Sequence, residues 1–106
     1  MAHALRAEVI RRGAEVVLSG RLDARSAVAA RALLRDVVDG GEGDVLLHVG
    51  ELEIWDAGGL GVLIGAHRRA RQARRRLVLV DVPPRQLRLL RATRLHRLLT
   101  LEPAVA

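Results

Sequence analysis

A chain of 106 residues with formal net charge +6 has room for one domain, here residues 1–106, and for one core that buries roughly two-thirds of the unfolded surface. It has no cysteine, which excludes a disulfide framework and thiolate metal ligation, and no run near the ~18 apolar residues of a membrane span. All 18 basic residues are arginine and Trp55 is the only aromatic, so the charge admits acidic-protein, anionic-lipid or nucleic-acid partners, but without the stacking rings of a single-strand platform.

Leu5 to Arg11 and Glu15 to Ser19 read as two strands, with Ala7, Val9 and Arg11 alternating against Arg6, Glu8 and Ile10. Arg12-Gly13-Ala14 between them predicts a hairpin. Gly20 to Ser26 reads as a loop in which Asp23 or Ser26 caps the next element. Val28, Leu33, Leu34, Val37 and Val38 place one apolar face on a helix, with Arg25, Arg31, Arg35 and Asp36 mostly off it. Asp39-Gly40-Gly41-Glu42-Gly43 ends that helix. Asp44 to Val49 is a short, nearly continuous apolar run, the pattern of a central strand covered on both sides.

The chain then passes through Glu53-Ile54-Trp55-Asp56-Ala57-Gly58-Gly59-Leu60-Gly61, and this stretch organises the rest. A buried strand turns through small residues into a helix expected over Gly58 to about Arg74. Asp56 can accept hydrogen bonds from the unpaired N–H groups of its first turn. Ala57, Gly58 and Gly59 leave the backbone bare enough for a partner to approach. A capped, glycine-tolerant turn satisfies the same pattern. Arg68, Arg71 and Arg75 fall at helical spacing, either as a basic patch or as a solvated face complementing the helix dipole. Leu77 to Val80 reads as a second central strand, Pro84 as the opening of a helix, and Leu87, Leu90, Leu95, Leu98 and Leu99 as one or two short helices. Thr100 to Pro103 reads as an edge strand. Strands alternating with helices predict an α/β fold with a mixed sheet.

A search for catalytic chemistry finds little. His3, His48, His67 and His96 lack ligand spacing, and Gly59-Leu60-Gly61 lacks the third glycine of a dinucleotide fingerprint. No hydroxyl nucleophile lies in the focal loop, and Asp23 and Asp56 are explained as caps and turn-makers. No cofactor, no metal and no enzymatic activity are expected. With no basic segment leading into an apolar stretch at the N-terminus, no signal peptide is expected, and the chain is expected to be soluble and cytoplasmic.

The ordered elements and loops resemble the STAS domain, found in bacterial anti-sigma factor antagonists and in the cytoplasmic tails of sulfate transporters. Gly20-Arg21-Leu22-Asp23 is similar to the family's Gly-x-Leu-Asp loop, and Asp56-Ala57-Gly58-Gly59-Leu60-Gly61 to its Asp-Ser-Ser-Gly-Leu-Gly segment. Leu77 to Val82, and Leu89-Leu90 followed by Leu95 to Leu99, are similar to its closing half. The resemblance implies a sheet of four to five strands with helices mainly on one face. It also implies a non-enzymatic module that regulates transcription by docking on a kinase-like anti-sigma factor. The partner-binding residues it implies are Asp23, Asp56, Ala57, Gly58, Gly59 and Leu60, and a second copy of the chain is another candidate partner. Trp55, beside that loop, reads either as a partner-binding anchor, since indole is enriched at interface hot spots, or as a residue filling the core beneath the loop. The family's switch is phosphorylation of the serine after the motif aspartate, where about −1.5 to −2 charge would disturb the interface. Here that position is Ala57, and no Ser, Thr or Tyr occurs from Ala27 to Ala92. His48 stands where the family usually has Asp or Asn, and Arg94 where a turn glycine is common. Two alternatives stay open for this chain: an accessory subunit of a membrane transport complex, also built on this domain, or a scaffold subunit of a stress-signalling assembly.

Overall fold

The computed structural model describes residues 4–104, leaving His3 outside. A hairpin opens the chain: β1 (Arg6–Arg11) and β2 (Glu15–Leu22) run antiparallel through Gly13, whose φ of +70° favours glycine. Then follow α1 (Ala27–Asp39), β3 (Val45–Ile54), α2 (Ala57–Gln72), β4 (Leu77–Val82), α3 (Pro84–Ala92), a 3-10 turn at Leu95–Arg97 and β5 (Thr100–Pro103). The strands lie in chain order, β1-β2-β3-β4-β5, and every pair after the first is parallel. Strands added in chain order through right-handed crossovers place their helices on one face. No described helix is long and apolar enough to cross a membrane.

One cluster fills the space between that face and the helices. Val16, Leu18 and Leu22 of β2, Val45, Leu47, Val49 and Leu52 of β3, and Leu77, Leu79 and Val82 of β4 meet Leu34 and Val38 of α1 and Val62 and Leu63 of α2. Each buried Leu or Val contributes about 1.5–3 kcal/mol by leaving water. Most of the alternate residues, among them Val17, Leu46, His48 and Val80, are only half-buried, whereas Val78 of β4 is buried. The expectation that the β3 run is covered on both sides is therefore corrected: helices cover one face, and neighbouring side chains partly shelter the other.

The inner strands β2 and β3 run further than their sequence suggests. β2 continues past Ser19 to Leu22, and β3 past Val49 to Ile54, because the two keep pairing from Ser19–Glu51 to Leu22–Ile54 beyond a register shift after Val17. Gly20 and Gly50 look like strand ends and instead sit within irregular strand. On α1, Val28 is 76% exposed, and the small Ala27 and Ala30 take the core side. The second helix ends at Gln72, short of Arg74, whose φ of 57° turns the chain back. Arg94, at the glycine-like turn position, adopts a φ of 61°.

That reversal after α2 overturns the place of Arg75 in an exposed stripe. Arg75 is 6% exposed. Its Nε donates to the Gly43 carbonyl at 2.8 Å, Nη1 to Val37 and Val38 at 3.1 and 2.7 Å, and Nη2 to Gly13 and Glu42. All five guanidinium N–H groups thus end on main-chain carbonyls, including two from the last turn of α1, where the regular four-residue helical bonds have run out. The guanidinium ties the β1–β2 turn, the end of α1 and the lead into β3 together. Glycines allow the approach: a Cβ on Gly13 would lie 2.4 Å from the Gly40 carbonyl oxygen.

Candidate functional site

At the carboxyl ends of β2 and β3 two loops meet. Asp56, in extended conformation, caps α2: its Oδ1 accepts from the Gly59 N–H at 3.1 Å. Its Oδ2 accepts from the Ala24 N–H at 3.1 Å, so one carboxylate joins the β3–α2 corner to the β2–α1 loop. Trp55 adds a main-chain bond to the Leu22 carbonyl at 3.0 Å.

Asp23 organises the neighbouring loop from within. It is 6% exposed; its Oδ1 accepts from the N–H groups of Arg25 and Ser26 at 2.9 and 3.0 Å, and its Oδ2 from Arg21 Nε at 2.7 Å. The Ser26 hydrogen bond, reinforced by Arg21 and Arg25 against desolvation, holds its carboxyl below the ordinary value. Ser26 stands at the start of α1 without a side-chain capping bond to it, and its hydroxyl donates to the Arg21 carbonyl at 3.1 Å.

Trp55 is 52% exposed. Its indole N–H donates to Glu53 at 3.1 Å, and the Arg21 guanidinium lies 4.0 Å from the ring centroid. Arg21 links the exposed indole to buried Asp23. A shallow depression of ≈ 200 Å³ adjoins the indole, with Ile54, Arg85 and Leu89 in its wall. Beneath it the buried Gln86 amide donates to the carbonyls of Val49 and Leu52, where β3 has run past its pairing with β4.

The seven expected site residues are brought together, in different roles. Trp55, Asp56 and Ala57 are exposed, Gly58 and Leu60 half-buried, and Gly59 and Asp23 buried. The two glycines serve an internal fit. A Cβ on Gly58 would sit 2.9 Å from Ala24 Cα, and one on Gly59 would sit 2.6 Å from the Leu22 carbonyl oxygen. Ala57 remains as the outward position of the first turn. Sequence reasoning missed Arg21, Ala24 and Arg85; the arginine inside Gly20-Arg21-Leu22-Asp23, beside a lone tryptophan, was the available signal for the first.

His48 lies on the half-covered sheet face. Its Nε2 is 2.6 Å from Glu15 Oε2 and its Nδ1 3.4 Å from Asp81 Oδ2, so an imidazolium can donate to both carboxylates. Hydrogen bonding to Glu15, with a smaller part from Asp81, outweighs burial and raises its pKa above 6.5. The same bond, helped by Arg11, lowers that of Glu15 below 4.5. His67, buried on α2, is pushed below 6.5 by desolvation and by Arg71 and Arg68.

The chain is similar to the anti-sigma factor antagonist SpoIIAA in its unphosphorylated form, at 21% identity and a TM-score of 0.73 over 96% of this chain and 89% of that one. Against the phosphorylated form of the Bacillus cell fate determinant SpoIIAA the values are 21%, 0.69, 96% and 92%. An anti-sigma-factor antagonist (STAS) domain protein from Planctomyces limnophilus matches at 15% identity and 0.71, over 94% and 89%. These likenesses establish the fold. No curated protein sequence matches significantly. A family model described as "Mlab, STAS domain" matches residues 7–101, nearly the whole chain, and the protein therefore belongs to the STAS domain family.

Proposed function

We propose that the protein is a non-enzymatic docking module of the anti-sigma factor antagonist type, acting in the cytoplasm on an anti-sigma factor with a kinase-like ATP-binding fold. The corner of Trp55, Asp56, Ala57, Gly58, Gly59 and Leu60, with Asp23 bracing it, forms the docking surface. The observation that carries this reading is the exposed Trp55-Asp56-Ala57 edge, held by Asp56 to two backbone N–H groups from different loops. A surface already ordered loses little freedom when a partner seats on it. A half-exposed indole beside a depression suits an anchor, since tryptophan is enriched among residues that dominate interfaces. Ala57 offers no oxygen for phosphate, so the partner's kinase activity has no target at the usual place, and docking is governed by abundance or assembly.

Affinity purification of the tagged protein, with identification of the proteins retained, tests this. An ATPase-fold anti-sigma factor is expected from wild type and is lost with Trp55→Ala at unchanged thermal midpoint. Retention of a transporter ATPase instead would move the protein to the transport-accessory role. Phosphate incorporation between residues 27 and 92 would overturn the unswitched mode.

A further inference from the structure

Strand β1 is an outer strand of the sheet, and among the described residues no strand pairs with its far edge. The whole strand is exposed, Val9 at 53% and Ile10 at 50%. The opposite edge of the sheet, β5, is short and ends at Pro103, which has no N–H to offer a further strand. The edge of β1 carries no proline. Pairing with β2 sets its two faces. Ala7 and Val9 lie opposite the core residues Leu18 and Val16, so they and Leu5, just before the strand, stand on the helix side of the sheet. Arg6 and Glu8 lie opposite Ser19 and Val17, on the open side. Neither Arg6 nor Glu8 forms an ion pair among the described residues. A bulge between Val9 and Arg11 ends the regular stretch. Beside Val9 a depression of ≈ 500 Å³ opens on the helix side, with half-buried Leu33 of α1 in its wall.

We propose that β1 pairs antiparallel with β1 of a second copy, joining two five-stranded sheets across a two-fold axis at Ala7. Symmetry restricts the register. Successive residues of a strand turn their N–H and C=O groups to alternate edges, so outward residues must face outward residues, and the axis must pass through one residue and its own copy. An axis at Arg6 sets that arginine against itself, and an axis at Glu8 sets that glutamate against itself; like charges directly opposite are unfavourable. An axis at Val9 runs into the bulge. With the axis at Ala7, Arg6 of each copy meets Glu8 of the other on the open side, and Val9 of each meets Leu5 of the other on the helix side. Ala7, the smallest side chain of the strand, meets itself. Charges that keep a foreign strand off the edge complete each other in this one register. Leu5 of the second copy arrives beside exposed Val9 and the depression next to it. An unrelated extended segment finds the same free edge but not this reciprocal match, which selects a second copy as the occupant. A ladder from Leu5 to Val9 is small for an interface, so the dimer is transient and forms with rising concentration. The inference does not depend on the docking role proposed for the Asp56 corner.

The test is sedimentation velocity on the full-length protein at about 50 mM salt, over concentrations reaching about 1 mM. Wild type is expected to move from monomer towards dimer by mass action. Arg6→Glu and Glu8→Arg each place like charges opposite each other and are expected to weaken association about tenfold or more. The double variant Arg6→Glu with Glu8→Arg restores it, and so does an equimolar mixture of the two single variants, because either arrangement returns opposite charges to both pairs. Both side chains are exposed, and thermal midpoints check that every variant folds. Ala7→Cys reads the register directly: across the axis the two Cα atoms lie about 4.5–5.5 Å apart, within disulfide reach, and mild oxidation should link the copies. In Leu5→Cys the two positions lie about 13 Å apart and should not link. The chain has no cysteine of its own to confuse this readout. Trp55→Ala should leave association unchanged. The proposal is overturned if wild type stays monomeric throughout, if either single variant associates as wild type does, or if the double variant and the mixture stay dissociated. It is equally overturned if Leu5→Cys links and Ala7→Cys does not, or if Trp55→Ala abolishes association.

Discussion

Removing the Arg75 side chain should cost more stability than any other single arginine change in this protein. Three of its five hydrogen bonds, to Val37, Val38 and Gly13, are buried, and two, to Gly43 and Glu42, are half-buried. The Val37 carbonyl keeps a second donor, the Gly40 N–H at 3.3 Å. In Arg75→Ala the Val38 and Gly13 carbonyls therefore lose their buried donor, at about 1–3 kcal/mol each. Losing the half-buried pair and the packed side-chain stem adds to this, while water entering the gap and the relieved burial of a charge subtract. The net expectation is a loss of about 3–5 kcal/mol, a large part of the roughly 5–15 kcal/mol that holds a domain of this size. The thermal midpoint should fall by at least about 15 °C. Arg75→Lys should recover only a minor share, because three donors on a point charge cannot span five carbonyls. Urea unfolding measures the loss, with the denaturant slope checking that the unfolded state is unchanged. A loss below about 1 kcal/mol in Arg75→Ala at constant slope would refute the reasoning, because the guanidinium would then only be replacing water.

Glycines make a sharper pair of expectations. Gly59→Ala drives a methyl to 2.6 Å from the Leu22 carbonyl and should destabilise by about 2 kcal/mol or more, whereas Gly65→Ala meets open space in mid-helix and should stabilise by about 0.5–1 kcal/mol; opposite movements of the thermal midpoint check both. Asp56→Ala removes the α2 cap and the Ala24 bridge and should cost about 1–2 kcal/mol, with faster amide exchange at Gly59 and Ala24 as the local readout. His48, with its pKa raised above 6.5, stabilises fully below 6.5, and this stabilisation is lost as pH rises through the folded value. Glu15, lowered below 4.5, stabilises above 4.5 and loses this as pH falls through its folded value. The stability difference between wild type and His48→Asn should therefore peak between 4.5 and 6.5 and shrink on either side. Taking the difference also removes His67, whose lowered pKa acts in the opposite sense. A difference flat in pH would show that the three side chains are not coupled.

The Asp56 corner was legible because its determinants are consecutive. An apolar strand, an acid and a run of small residues specify strand, cap and helix start within a few positions. Arg75 was not legible. Its acceptors lie as far away as Gly13, 62 positions earlier, and on α2 spacing alone it continues a solvated stripe. His48 showed only as a polar residue in an apolar run, because its partner Glu15 is 33 positions distant and a sheet neighbour through the β2–β3 register. Gly20 and Gly50 misled in the same way. A glycine inside a strand and one that ends it look alike until pairing is known. Val28 reads with the apolar face of α1, yet at ~3.6 residues per turn it stands about 120° from Leu34, and Ala27 and Ala30 occupy the core side instead.

The contact between Gly58 and Ala24 makes the two small residues of the corner unequal in the changes they can accept. A serine at position 58 would have to push the Ala24 backbone aside, and the Asp56 bridge with it. Position 57 faces outward, and serine or threonine there could be accommodated without moving either loop. Alanine codons lie one base from those of serine and threonine. An outward hydroxyl at this corner is thus a single mutational step away through residue 57, whereas at residue 58 it would require the neighbouring loop to be rebuilt.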